Sequence, residues 1–403
     1  MTSTYSTNTR LADDLRARLV RVDATWITEK PPSLAYLVRD SRTGRGAIEA
    51  LGTGLLVAAG ASGKGFTSLS LGLAVSTGTP WLGCMSVERP GRVLFVSAED
   101  GARTHLRYRI HAMAHAMGIA ALGENFDILD VRDLHLPMLT PQGIPGEGME
   151  ALVGFVGEHG PYALVVLDPI SRIAGASVDA DNVAATALIG TFETISTASG
   201  GFVLGCHHTS LDARKRRDTS TTGIRGATGL GDSARIVMTL SVEKLAHGDS
   251  DSNAHLGEVV TVRLTKANHV RAWDHIVLRR DESGALVPLD DADLALVEVA
   301  REKADSASAK RATRETEREA TQDARAKEHA RRKSERDAAA VDARRRRDEA
   351  DDETARLLRA EHPDAAERDI IALLKKARSC GSERAHDAVV RTRPASPSTE
   401  AAP

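Results

Sequence analysis

The stretch from residue 55 to residue 66 reads LLVAAGASGKGF and combines residue types that can bind phosphate. Gly60 and Gly63 permit a tight turn, and the N–H groups of such a turn form an anion cradle with the amino end of a following helix. Lys64 adds a charge that can reach the outer phosphates of a nucleotide. The predicted nucleotide-contacting residues are Gly60, Ala61, Ser62, Gly63, Lys64, Gly65 and Phe66.

This stretch departs from the phosphate-binding loop pattern at two positions. The pattern has glycine where Ala58 stands, and it has serine or threonine where Gly65 stands. The hydroxyl missing at position 65 normally binds Mg²⁺, and Thr67 or Ser68 could replace it from the first helical turn. The alternative interpretation is a glycine-rich turn between a strand and a helix that binds nothing.

A carboxylate follows the apolar run at 163–167. Because a buried parallel strand ends at the carboxyl edge of its sheet, Asp168 is expected beside the phosphates, where it can bind Mg²⁺. With Gly65 lacking a hydroxyl, Asp168 has to do more of the metal positioning. Its alternative role is that of a cap or turn former before Pro169.

Two further strand ends have polar side chains of catalytic type. Glu99 follows the apolar run at 93–97 and can deprotonate an attacking water, whereas Asp100 is expected to cap the next helix. His207 and His208 end another apolar run, and a histidine there can sense a phosphate through a hydrogen bond. One metal ion could not easily bind both, because neighbours on a strand point to opposite faces.

These residues need a sheet to bring them together. The apolar runs predict strands at 54–59, 92–97, 126–131, 163–167, 202–206, 235–241, 259–265 and 275–279. Helices are predicted at 64–77, 102–117, 148–159 and 182–199. Early strands alternate with helices, which indicates an α/β fold with a mostly parallel sheet flanked by helices. The later strands follow one another closely, which favours antiparallel additions at one edge.

Composition limits the function classes. The 403 residues include 53 basic and 56 acidic side chains, a net charge of −3, so any nucleic-acid binding has to come from a local patch. Cys84, Cys206 and Cys380 are isolated, which argues against a disulfide framework or structural zinc and favours a reducing cytoplasm. The apolar runs are too short for a membrane span, and the amino terminus does not resemble a secretory signal.

The sequence predicts five regions: a flexible tail at 1–32, the α/β domain at 33–290, a charged region at 291–360, a helical module at 361–393 and a tail at 394–403. Few large apolar residues lie in the charged region, so a solvated helix or a disordered linker is expected rather than a coiled coil. The helical module is interpreted either as a helix-turn-helix that binds DNA or as a protein-docking module, for replication proteins for example.

Several motifs occur in a fixed order: AAGASGK, SAED, VVLDP, DADN and HHT. This ordered set over 33–280 resembles the RepA-like ATPases, hexameric plasmid and phage helicases with a RecA-type core related to DnaB. The resemblance implies a ring that hydrolyses ATP with Mg²⁺ at subunit interfaces and translocates on single-stranded DNA. It implies that Lys64 is the P-loop lysine, Glu99 the water-activating base, Asp168 the metal-binding acid and His208 the phosphate sensor.

The resemblance also extends to basic residues. Arg235 and Lys266 occupy positions from which such rings reach the γ-phosphate of a neighbouring subunit, although ion pairing within one subunit is the alternative. A polar segment at 211–225 falls where a channel-facing loop would track DNA phosphates without reading sequence. The predicted DNA-binding residues are Arg214, Lys215, Arg216 and Arg217. A surface loop without this function is the alternative.

Two functions follow from these observations. The first is an ATP-driven replicative helicase or translocase. The second is an ATP-switched DNA-binding protein for replication control or recombination that does not unwind duplex, which Gly65 and the helical module favour. The sequence also departs from the family where a lysine often follows the two histidines, since Ser210 and Leu211 stand there.

Overall fold

The computed structural model describes residues 12–209 without 14, and 228–245, 256–269 and 275–394. The chain divides into two compact units, Met1–Arg301 and Glu302–Pro403. The predicted DNA-binding residues at 214–217 lie outside the described residues.

A nine-stranded sheet forms the centre of the first unit, and a three-stranded sheet accompanies it. The strands are β1 (Tyr36–Asp40), β2 (Arg45–Glu49), β3 (Gly52–Ala58), β4 (Met85–Val87), β5 (Val93–Ser97), β6 (Phe126–Asp130), β7 (Leu164–Asp168), β8 (Phe202–His208), β9 (Ile236–Lys244), β10 (Glu258–Ala267), β11 (Ile276–Arg280) and β12 (Leu286–Pro288). The large sheet has the order β12-β11-β10-β9-β3-β8-β7-β5-β6, and the small one has the order β2-β1-β4.

The strand directions confirm the predicted fold class. In the large sheet, the neighbouring pairs β6-β5, β5-β7, β7-β8, β8-β3 and β3-β9 are all parallel. The carboxyl ends of these strands therefore lie at the same end of the sheet. From β9 to β12 the pairing is antiparallel, as the close spacing of the later runs predicts. The eight predicted strands are present with ends shifted by no more than three residues, whereas β1, β2, β4 and β12 are missing from the prediction. These four are short or contain charged residues, so their alternation is weak.

The described helices are α1 (Thr25–Thr28), α2 (Lys64–Thr77), α3 (Arg107–Ala116), α4 (Glu147–His159), α5 (Ile170–Ile173), α6 (Asn182–Ser199), α7 (Thr228–Ser233), α8 (Asp291–Glu361), α9 (Glu367–Arg378) and α10 (Ser382–Arg391). Of these, α2 and α6 cover opposite faces of the large sheet. Alternate residues of β3 enter two separate cores: Leu56 packs on the side of Leu71 in α2, and Leu55 packs on the side of Leu188 in α6. Burial on both faces explains why this strand reads as an unbroken apolar run.

One predicted helix has a different form. The stretch predicted as a single helix at 102–117 begins with a π-helical turn at Ala102–Leu106, and α3 follows it directly. A π turn contains one more residue than an α turn, so it changes which side chains of α3 face the sheet.

The second unit contains the remainder of α8, together with α9 and α10. Ile370 and Leu374 of α9 and Val389 of α10 form a small core with Ala355 of α8. The carboxylate of Asp351, which has no exposed area, pairs with Arg378 at 2.9 Å and with Arg384.

Candidate nucleotide-binding site

The turn between β3 and α2 has the backbone geometry of an anion cradle. Gly63 precedes the helix with a φ of 98°, and Ala61 has a φ of 62°. A side-chain carbon at Gly60 would meet nothing within 4 Å, so the mouth of the turn is open. Ser62 donates its hydroxyl to the carbonyl of Ala59 at 2.6 Å, which tightens the turn. Left-handed residues directly before the amino end of a helix form the kind of turn whose N–H groups can bind a polyphosphate.

Lys64 and Asp168 meet beside this turn. The ammonium Nζ lies 3.6 Å from the carboxylate Oδ1, and the side chains are 10% and 14% exposed. Burial raises the pKa of Asp168 above its usual value, and the positive charge of Lys64 opposes this shift. A lysine at the helix amino end and a carboxylate at the same sheet edge are the donor set that a nucleotide with Mg²⁺ requires.

The two hydroxyls that could replace the one missing at Gly65 both form hydrogen bonds at the amino end of α2. Thr67 is buried and donates to the carbonyl of Gly63 at 3.0 Å. Ser68, also buried, donates to the carbonyl of Gly65 at 3.1 Å. Both bonds lie at the first turn of α2, where each hydroxyl donates to a backbone carbonyl of its own helix end.

The two acids after β5 take different positions. Glu99 is exposed, whereas Asp100 is partly buried and forms an ion pair with Arg109 of α3. The expected helix cap by Asp100 is wrong, because the N–H of Ala102 donates to Asp130 at 3.1 Å instead. Asp130 reaches this N–H from the neighbouring strand β6.

Arg109 lies beside the candidate site, and sequence reasoning missed it. Its Nη1 would lie 2.9 Å from a side-chain carbon built at Gly65, and Oδ2 of Asp168 would lie 3.8 Å from the same point. Its guanidinium also lies over the ring of Phe66, 5.7 Å from the centroid. Nothing in the sequence distinguishes Arg109 from the other basic residues of α3.

Arg280 of β11 is a second basic residue that the sequence did not indicate. Its Nη2 donates to the carbonyl of Ala61 at 3.2 Å, and its Nε pairs with Glu258 at 3.0 Å. Arg280 therefore links the antiparallel part of the sheet to the turn before α2.

The two histidines of β8 face opposite sides of the sheet. Cys206 lies on the face of α2, close enough to Lys64 and Asp168 for their charges to act on its thiol. Alternation along the strand puts His208 on that same face, at the register position opposite Ala58. His207 is fully buried on the other face, with Nε2 3.3 Å from Oδ1 of Asp179.

Arg235 and Lys266 lie at the end of the sheet where the parallel strands begin, whereas the P-loop lies at the end where these strands finish. Arg235 directly precedes β9, whose first residues pair in parallel with the beginning of β3, and Lys266 pairs with Val237. Arg235 contacts Glu193 at 3.5 Å. Lys266 donates to two carbonyls at the end of α7, including that of Gly231 at 2.9 Å. Neither residue approaches Lys64 in its own chain.

The helical module at 361–393 carries side chains of both charges at its surface. Glu383 and Asp387 are exposed on α10, and Lys375 and Lys376 are exposed on α9. Arg384 and Arg391 of α10 pair with Asp351 and Asp352 of α8. The DNA-binding and protein-docking interpretations of this module both stay predictions.

Two kinds of site are absent from the described residues. No group of three or more histidine, cysteine or acidic side chains there could hold a metal ion. No helix there is long and apolar enough to span a membrane.

Comparison with known proteins gave one family and several distant structures. The family model described as AAA domain matches residues 13–214. A solved ATPase domain matches at 13% identity with a TM-score of 0.45, covering 72% of this chain and 100% of that one. The RadB recombinase matches at 14% identity and 0.38, covering 59% and 91%. A DnaB-like replicative helicase, solved to show its interactions with primase, matches at 12% identity and 0.44, covering 70% and 71%. No curated protein matches the sequence.

Proposed function

This chain belongs to the AAA domain family, and we propose that it hydrolyses ATP to move along single-stranded DNA as a ring-shaped oligomer. The observation that supports this proposal most strongly is the convergence of Lys64 and Asp168, 3.6 Å apart, at an open anion cradle. Two oppositely charged and nearly buried groups at that point are stable together, and they are suited to a ligand that has both phosphates and a cation.

In the proposed mechanism, the backbone N–H groups of 60–65 and the ammonium of Lys64 bind the β- and γ-phosphate oxygens. Asp168 would hold Mg²⁺, and the bound cation would neutralise part of the phosphate charge. Glu99, exposed at the end of β5, accepts the proton of the attacking water. His208, on the face of α2, donates a hydrogen bond that reports the presence of the γ-phosphate.

The ring is proposed from the position of Arg235 and Lys266. Both lie at the sheet edge opposite the P-loop, so they cannot reach the nucleotide of their own chain. In a heterologous ring, one edge of each subunit faces the other edge of its neighbour. Arg235 and Lys266 would then contact the γ-phosphate of the next subunit and stabilise the charge that develops there.

Mixing two inactive variants tests this arrangement. Lys64→Ala disables the subunit that binds ATP, and Lys266→Ala disables the subunit that assists from outside. A ring mixed from both contains interfaces in which an intact P-loop faces an intact Lys266. We expect each variant alone to lack DNA-stimulated hydrolysis and the mixture to regain part of it. If the mixture stays as inactive as the separate variants, Lys266 does not act across an interface.

Unwinding is tested separately on a forked duplex, and oligomer size by native mass measurement with ATP and single-stranded DNA. Strand displacement that depends on ATP supports the helicase. ATP turnover without displacement supports the ATP-switched DNA-binding protein instead.

We also propose that the basic segment Arg214, Lys215, Arg216 and Arg217 tracks the DNA backbone. Replacing all four with alanine should weaken DNA binding and flatten its salt dependence.

A further inference from the structure

The glycine after the P-loop lysine has a close neighbour. A side-chain carbon at Gly65 would lie 2.9 Å from Nη1 of Arg109, closer than non-bonded carbon and nitrogen atoms normally approach. The same point lies 3.8 Å from Oδ2 of Asp168. The guanidinium of Arg109 therefore occupies the place where a serine or threonine side chain would project from a standard P-loop.

Arg109 is fixed in this place from two sides. Asp100 forms an ion pair with its Nη1, and the ring of Phe66 lies 5.7 Å from its central carbon. The side chains of Arg109 and Asp100 are only 31% and 24% exposed. A guanidinium that is partly desolvated and held by a carboxylate and an aromatic face keeps one orientation.

We propose that Arg109 is a phosphate-binding residue of the nucleotide site. In a standard P-loop the hydroxyl helps to hold Mg²⁺, which neutralises phosphate charge, and here the positive charge of Arg109 takes over part of that neutralisation. This inference rests on the proposed function. Gly65 leaves the space for the guanidinium, and Asp100 positions it. A guanidinium cannot bind a cation, but its N–H groups bind phosphate oxygens directly. The chain itself thus neutralises part of the phosphate charge, so nucleotide binding depends less on Mg²⁺ than in a P-loop with the hydroxyl.

The test measures equilibrium binding of a fluorescent ATP analogue to the full chain, once with Mg²⁺ and once with EDTA. Arg109→Ala should weaken binding about 10- to 100-fold in EDTA, the loss expected for one charge-assisted contact. Its loss with Mg²⁺ should be smaller. Arg107→Ala is the matched control, because this arginine is exposed on the same helix and should leave binding unchanged.

A double variant makes the test specific for the shared space. Gly65→Ser alone should weaken binding, because the new side chain displaces the guanidinium. Combined with Arg109→Ala, the same serine finds room and can supply the missing hydroxyl. We therefore expect Gly65→Ser/Arg109→Ala to bind more tightly with Mg²⁺ than either single variant, and to depend on Mg²⁺ more strongly than the natural chain.

Two results overturn the proposal. The first is that Arg109→Ala binds the analogue as tightly as the natural chain in both conditions. The second is that the binding free energy lost by the double variant equals the sum of the losses of the two single variants. If Arg109→Ala does not fold, Asp100→Asn takes its place, and unchanged binding in EDTA then overturns the proposal. Lys64→Ala distinguishes a failure of the proposed function from a failure of the role of Arg109 alone. If it binds the analogue as well as the natural chain, the proposed function fails, whereas its loss of binding beside an unaffected Arg109→Ala refutes the role of Arg109 alone.

Discussion

The ammonium of Lys64 lies 3.6 Å from the carboxylate of Asp168, although strand β8 lies between the strands that lead to them. The contact exists because β3, β8 and β7 are parallel and end at the same edge. The helix that begins at Lys64 then projects the ammonium across β8 toward Asp168. The candidate site thus follows from strand order and from the length of one turn.

Asp168→Asn should separate binding from turnover. The amide keeps the shape of the side chain but is a much weaker Mg²⁺ ligand than a carboxylate. We expect ATP hydrolysis to fall at least ~100-fold, while nucleotide binding in EDTA stays close to that of the natural chain. Asp133→Asn, at an exposed position, is the control that should retain turnover. Equal loss of binding in EDTA would contradict a role limited to the metal.

Glu99→Gln should stop chemistry without affecting affinity. Removal of a general base reduces turnover by about 10²–10⁴-fold, while an exposed side chain that does not touch the phosphates adds little to binding. Turnover and equilibrium binding of ATP, measured on the same preparation, check both statements. Glu124→Gln is an exposed control. Turnover that survives in Glu99→Gln would move the role of base to another residue.

The adjacent histidines should behave in opposite ways. His208→Ala, on the face of α2, should lower turnover and leave the melting temperature nearly unchanged. His207→Ala should lower the melting temperature, because it leaves a cavity and removes the partner of Asp179 in a fully buried position. Thermal unfolding and steady-state turnover of the two variants distinguish the roles. A large stability loss in His208→Ala alone would reverse the assignment.

Asp351 should determine the stability of the C-terminal module, a name we use for the small core formed by the end of α8 with α9 and α10. Asp351→Asn leaves Arg378 and Arg384 without their buried anion, and we expect a loss of roughly 2 kcal/mol, or about 30-fold more frequent opening. Cys380 is buried in the same module, so the labelling rate of its thiol reports this opening. Cys206, buried in the other unit, is the internal control. An unchanged labelling rate at Cys380 would contradict the expectation.

The same carboxylate predicts the effect of acid on the module. Hydrogen bonds from Arg384, with Arg378 contributing in the same direction, lower the pKa of Asp351 below its usual value despite burial. Because the pKa of Asp351 is lower in the folded than in the unfolded chain, its ionised form stabilises the fold. This stabilisation is complete above the pKa of the unfolded chain, about 4, and is lost as the pH falls through the pKa of the folded chain. Hydrogen exchange of α9 and α10 should therefore accelerate at the acid end, after correction for the intrinsic rate. The acceleration should be absent in Asp351→Asn.

The backbone of the P-loop could be predicted from the sequence, because its signals are local. An apolar run, spaced glycines and a lysine define β3 and the beginning of α2 within a dozen residues, and the predicted bounds of α2 match the observed ones. Asp168 could be placed at the sheet edge for the same reason, since a buried strand that ends in a carboxylate has one topological outcome.

The neighbourhood of Gly65 could not be predicted in this way. Whether Asp100 caps a helix or pairs with Arg109 depends on the π turn at Ala102–Leu106, because its additional residue shifts the phase of α3. The contact of Arg280 with Ala61 depends on the packing of a distant strand, which joins residues 219 positions apart. Local patterns contain neither kind of information.

The central claim is that this chain hydrolyses ATP at the turn between β3 and α2, which ends at Lys64. The most direct measurement compares ATP turnover, with and without single-stranded DNA, for the natural chain, Lys64→Ala and Lys244→Ala, a control whose side chain is 82% exposed. We predict turnover in the natural chain and in Lys244→Ala, and a loss of at least ~100-fold in Lys64→Ala. Turnover in Lys64→Ala at the rate of the natural chain would contradict the account.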